Sequence, residues 1–249
     1  MAALTLTLVL VFAGSVYLRG WLHHRSTPIW RACSFVLGLL ATWIAVASPL
    51  ASLDGHMLTA HMIQHLLLMT IAPPLIWLGE PLITVRLARW PFPKRLGTLL
   101  GHPVFCWFAA AAALVIWHVP SVFQLGMLSS TWHFIEHASF FTSGLLFWWP
   151  VIQPWPSVAR WPRSSMLLYL FFATLPCDVL SGFLVFSDRV AYPMYLSTHQ
   201  MGGLSPLEDQ QCAAALMWTC VTVVFLVAGT ILSIQILSPK LRLQEAASL

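Results

Sequence analysis

Long apolar runs, separated by short polar, proline-rich or basic breaks, occupy most of the chain at about 2–18, 32–48, 57–78, 103–119, 132–152, 164–186 and 211–237. Each is long enough for a helix to cross the hydrocarbon layer of a bilayer, which takes about 20 apolar residues. The pattern predicts an all-α polytopic membrane protein, a bundle of seven transmembrane helices in a single domain over residues 1–249. Pro73-Pro74 and Pro176 lie inside two of the runs. Proline lacks a backbone donor, so helices three and six are expected to kink or break there and to free carbonyls that must face protein or a cavity.

Composition sharpens this picture. Of 249 residues, 59% are hydrophobic and 8% charged, against roughly 25% charged in a soluble domain, and the mean hydropathy is +0.80. A soluble globular enzyme is excluded, and the connections leave no room for a separate water-soluble domain. With the N-terminus outside and the C-terminus inside, the inner connections hold Arg19, Arg25, Arg31, Arg86, Arg89, Lys94, Arg95, Arg160, Arg163, Lys240 and Arg242, so that of the twelve basic residues only Arg189 lies outside. This is the positive-inside pattern, and it makes the net charge of +4 a record of orientation rather than a sign of a nucleic-acid partner. The first run has no basic residue before it and several after it, so it reads as a retained span rather than a signal peptide. Five cysteines without a CxxC pair exclude a disulfide framework, and Cys177 reads as packing. Tryptophans 21, 30, 77, 90, 107, 148, 149, 155 and 161 near the inner boundary, and Trp117 and Trp132 near the outer one, are expected to anchor the interfaces.

The ten histidines are distributed unevenly. His23, His24 and His102 lie near inner connections, whereas His56, His61, His65, His118, His133, His137 and His199 fall in the outer half or the outer loops. Ionisable groups inside a membrane persist only when paired, hydrated or ligated. At 1.5 Å per residue, His61 sits about 6 Å and His65 about 12 Å into helix three, on one face of it. Helix five carries His133 and His137 at the same spacing with Glu136 between them, and helix four brings His118 to the same level. Five imidazoles from three helices point to a metal site, with copper, zinc or iron as candidate ions and nearby Met57, Met62, Met69, Met194 and Met201 as thioethers that would favour Cu(I). Asp178, estimated about 12 Å deep, together with Glu136 and Asp209, is a candidate further ligand or a partner that orients a ligand imidazole. His56, Met57, Met62 and His199 complete the candidates.

Several motifs taken in order resemble the seven-span CtaG family of cytochrome c oxidase assembly factors. They are His61-Met62-Ile63-Gln64-His65 running into Ala72-Pro73-Pro74, then Leu78-Gly79-Glu80-Pro81, Trp117-His118-Val119-Pro120, His133 with Glu136-His137, Phe147-Trp148-Trp149-Pro150, and Asp209-Gln210-Gln211 leading to Met217-Trp218. The resemblance implies a non-catalytic metallochaperone in a bacterial cell membrane. Such a protein would receive copper as Cu(I) from an extracytoplasmic donor and deliver it to the buried copper of oxidase subunit I. It carries over to His61, His65, His118, His133, His137, Glu136 and Asp209, whereas Asp178, His56 and the methionines rest on the topology. The residues alone also admit a haem- or quinone-binding oxidoreductase or a metal or proton transporter. Against a transporter, the inner halves of helices three and five are almost wholly apolar.

Overall fold

The computed structural model describes residues 2–23, 28–81, 101–154, 161–197 and 203–238, and among these the chain is helical with no strand. Its helices are α1 (Ala2–His23), α2 (Ile29–Ala47), α3 (Leu58–Leu66), α4 (Ala72–Leu78), α5 (Pro103–His118), α6 (Pro120–Leu128), α7 (Ser130–Ile152), α8 (Arg163–Val185) and α9 (Pro206–Leu237). Five helical units are long and apolar enough to cross a membrane: α1, Ile29–Ser52, Leu58–Leu78, α8 and α9. A sixth is counted if α5 and α6, bent by 79°, form one span. Helix α7 has 23 residues and stands apart from these because His133, Glu136, His137 and several hydroxyl side chains dilute its apolar character.

The Pro73-Pro74 break takes a specific form. A π-turn, Leu67–Ile71, joins α3 to α4, and the chain continues rather than reversing. Pro73 cannot donate to Met69 four residues earlier, and the freed Met69 carbonyl accepts the indole N–H of Trp148 at 3.2 Å. The α7 backbone approaches closely at this point. A Cβ on Gly144 would lie 2.8 Å from Met69 Cα and from Met69 O, so only glycine permits the crossing.

Helix α3 packs mainly on α9, α4 packs on α2 and α7, and α7 also contacts α5 and α6, while α8 pairs with α9 and α5. Helix α1 leans mainly on α2 and is held by Tyr17, whose hydroxyl donates to Gly79 O at 2.8 Å and whose ring stacks on Phe35. The bend at Val119 also follows from proline. Pro120 disfavours helical backbone in the residue before it, and Val119 is extended at φ −66° and ψ 124°. What the sequence presents as an outer loop after residue 119 is therefore the helix α6, folded back over the end of the bundle. Three of the tryptophans assigned to interfaces also hold neighbouring segments together. Trp117 donates to Ser139 Oγ, Trp148 to Met69 O and Trp77 to Leu145 O, each indole N–H satisfied within the protein.

Candidate metal centre

The C-termini of α2, α5 and α8 and the N-termini of α3, α7 and α9 share one end of the bundle, and the histidines gather there. His61 and His65 rise from one face of α3, His118 ends α5, and His133 and His137 lie on the first turns of α7. Ring centroids are 4.2 Å apart for His61–His65 and His133–His137, and 5.8 Å for His61–His133 and His65–His137, while His65–His118 is 6.1 Å. Phe140 stacks on His65 at 4.0 Å, and Phe123 of α6 meets the His61 ring edge-on at 5.0 Å. The imidazoles thus share a pocket with hydrocarbon walls.

Glu136 is fully buried among them. Its Oε1 lies 3.4 Å from His61 Nε2 and 3.3 Å from His65 Nε2, yet neither contact is aligned as a hydrogen bond. Both carboxylate oxygens, both ring nitrogens of His61 and of His65, and Nε2 of His118, His133 and His137 are buried without a hydrogen-bonding partner. Unpartnered buried polar atoms are costly and rare, and here one from each of His61, His65 and Glu136 lies within 4.8 Å of the others. Two ligands bonded to one ion at about 2.0–2.1 Å with tetrahedral angles lie roughly 3.3–3.4 Å apart. The two separations to Glu136 match that edge and the third ligand pair lies within 4.8 Å, so this trio fits an ion.

The backbone around the cluster is tied down. His118 Nδ1 donates to Leu114 O at 2.7 Å, which fixes its tautomer and leaves Nε2 as the lone-pair nitrogen. Beyond α8, the buried Tyr192 and Tyr195 donate to His118 O at 3.1 Å and to Asp54 O at 2.8 Å. Burial pushes both phenols up, so they remain hydroxyl donors. Gly126 of α6 closes the cluster from above, and a Cβ there would lie 2.9 Å from Glu136 Oε2.

The other candidates fall elsewhere. The Asp209 carboxylate caps α3, accepting from Leu58 N at 2.6 Å, Thr59 N at 3.2 Å and Thr59 Oγ1 at 2.6 Å. It therefore orients α3 rather than touching an imidazole. Asp178 is half-buried and belongs to neither of the two ligand groups within the cluster. His56 is exposed and Met57 is the residue preceding α3. Met62 is buried in an apolar cluster with Phe123 and Cys177, and His199 lies outside the described residues. Asp54, in contrast, is a ligand candidate that the sequence reading passed over, with Oδ2 lying 3.3 Å from His133 Nε2. It occupies the short connection before α3, where helical periodicity carries no information about direction.

A bundle of apolar helices closed around five imidazoles and two carboxylates defines the class, a helical membrane protein with a buried candidate metal centre. The chain belongs to the cytochrome c oxidase caa3 assembly factor family, Caa3_CtaG, whose model matches residues 15–238. It is similar to uncharacterized proteins of Mycobacterium bovis and Mycobacterium tuberculosis, each 24% identical over 214 residues, covering 78% of this chain and 32% of the relative. An uncharacterized protein of Mycobacterium leprae is 21% identical over 232 residues, covering 84% of this chain and 35% of the relative. The chain thus spans about a third of the length of these relatives. No solved structure matches it.

Proposed function

We propose that this assembly factor carries copper, binding it between α3, α5 and α7 and passing it to the buried copper centre of oxidase subunit I. In this reading the protein is a non-catalytic chaperone of a bacterial cell membrane. It has seven spans, with the histidine end facing outward toward an extracytoplasmic donor and the C-terminus inside. The supporting observation is the convergence of unpartnered ligand atoms from His61, His65 and Glu136, with one atom from each lying within 4.8 Å of the others. No comparable polar series continues along the far half of α7, which suits a carrier better than a channel.

Charge favours the monovalent ion. Among the described residues, only His61 and His65 lie within ion-pair distance of Glu136, and Cu(I) with one carboxylate gives a neutral site. A divalent ion held by His61, His65 and Glu136 alone would leave net positive charge in a low-dielectric interior, at a cost. Imidazole accepts copper without the tight hold of several thiolates, as a carrier that releases its ion requires. The test is the copper content of the purified protein after loading under reducing conditions, beside H61A and H65A. About one copper per chain, lost in both variants, is expected, and the same variants should fail to restore oxidase copper in cells. A wild-type protein with no copper above the variants would refute the proposal.

A further inference from the structure

We propose that the cluster comprises two overlapping copper stations, an outer one of Asp54, His61 and His133 and a deeper one of His61, His65 and Glu136, through which a single Cu(I) passes with His61 as the shared ligand. This deepens the copper-carrying function proposed above and rests on it. Each trio offers one ligand atom per residue, all within 4.8 Å of one another. The close contact in the outer station, His133 Nε2 to Asp54 Oδ2 at 3.3 Å, repeats the 3.3 Å contact between His65 and Glu136.

Exposure grades inward. The His133 and Asp54 side chains are 25% and 13% exposed, while those of His65 and Glu136 are 6% and 0%. The outer pair thus lies nearer the surface than the deeper pair, with His133 Nε2 itself still buried. Asp54 is held ready: its Oδ1 accepts Gly55 N at 2.6 Å and its carbonyl accepts Tyr195 OH, which leaves Oδ2 toward His133. His61 suits the shared role because both its ring nitrogens are buried without a hydrogen-bonding partner. Unlike His118, it has no tautomer imposed by the backbone. Its ring lies 4.2 Å from His65 and 5.8 Å from His133. His137, next to both His133 and His65, can ligate during the exchange.

Charge explains why the transfer is feasible. Each station has one carboxylate, so Cu(I) forms a neutral complex in either place. Moving the ion then changes the net charge of neither occupied complex. A ligand common to both stations means that the ion is never stripped of protein donors in the apolar interior, where a bare charge is prohibitively costly.

The experiment is stopped-flow loading of the full chain in nanodiscs from a chromophoric Cu(I) chelator, followed by challenge with excess chelator to measure retention. D54N and H133Q should slow loading by about 10- to 100-fold, the range seen when groups supporting a metal site are lost, and reduce retention far less. E136Q and H65A should show the reverse, with faster release as the dominant change. Size-exclusion and helix content confirm folding, and D54E, which keeps the carboxylate, should recover part of the loading rate. D54N and H133Q loading at the wild-type rate would overturn the relay, as would all four variants losing retention equally, which would mean one undivided site. Wild-type protein that takes up no copper would overturn the copper function itself, an outcome distinct from both.

Discussion

Replacing Glu136 with Gln preserves the side chain's shape in its pocket and removes its charge. Its Oε1 is within 3.4 Å of both His61 Nε2 and His65 Nε2, so an ion held by the two imidazoles also contacts this oxygen. Two unit charges 4 Å apart attract by about 4 kcal/mol at an effective dielectric of 20, and direct ligation brings them closer. Part of that is offset because a neutral amide oxygen still ligates, and losing one partner of a buried charged pair costs about 2–5 kcal/mol. Cu(I) affinity should therefore fall about 30- to 4000-fold, at tenfold per 1.4 kcal/mol. The copper-free protein should behave oppositely. Glu136 is buried with both oxygens unpartnered, and the Gln amide provides an N–H to a vacant imidazole nitrogen, so E136Q should melt at the same temperature as wild type or higher. Competition against Cu(I) chelators of graded affinity measures the first effect and thermal unfolding in detergent the second. An affinity within threefold of wild type, with H65A still impaired, would show that Glu136 is not a ligand and would refute the reasoning.

Other perturbations separate the site from its scaffold. G126A places a methyl 2.9 Å from Glu136 Oε2 and should displace the carboxylate, weakening copper binding by about tenfold or more in the same competition assay. W148F leaves the Met69 carbonyl without its indole donor, and a buried acceptor left unpaired costs about 1–3 kcal/mol, read as a lower unfolding temperature. D209N retains one acceptor oxygen where the carboxylate receives three hydrogen bonds from Leu58 and Thr59. It should destabilise by about 1–3 kcal/mol while changing copper affinity less than E136Q does.

The helical segments were legible because uniformly apolar stretches bounded by proline and charge have few other solutions, and the i, i+4 pairs His61/His65 and His133/His137 were legible because helix geometry fixes which residues share a face. The meeting of those faces was less so. Periodicity in an all-apolar helix does not say which neighbour it faces, and here Gly144 and Gly126, not the ligands, decide how closely the elements approach. Asp54 and Asp209 show the remaining gap. Both lie near helix ends, where direction is set by tertiary contact, and they took opposite roles: one carboxylate turned to His133 and the other to the orphan donors of α3. The acceptors of Trp77 and Trp148 were not legible because carbonyls available at helix crossings are invisible in sequence.

The π-turn at Leu67–Ile71 has a consequence for how α3 and α4 are wound. Each residue advances an α-helix by about 100°, and a π-turn holds one residue more per turn than the regular ladder. The half with His61 and His65 is thereby rotated relative to the half with Ile76 and Trp77, so that α3 packs chiefly on α9 while α4 packs on α2 and α7. A straight helix would keep one azimuth and satisfy only one of these neighbours. Deleting a single residue from 67–71 should therefore act as a phase error, swinging either the two imidazoles away from Glu136 or Ile76 and Trp77 out of their packing. A substitution of the same residues would preserve the winding.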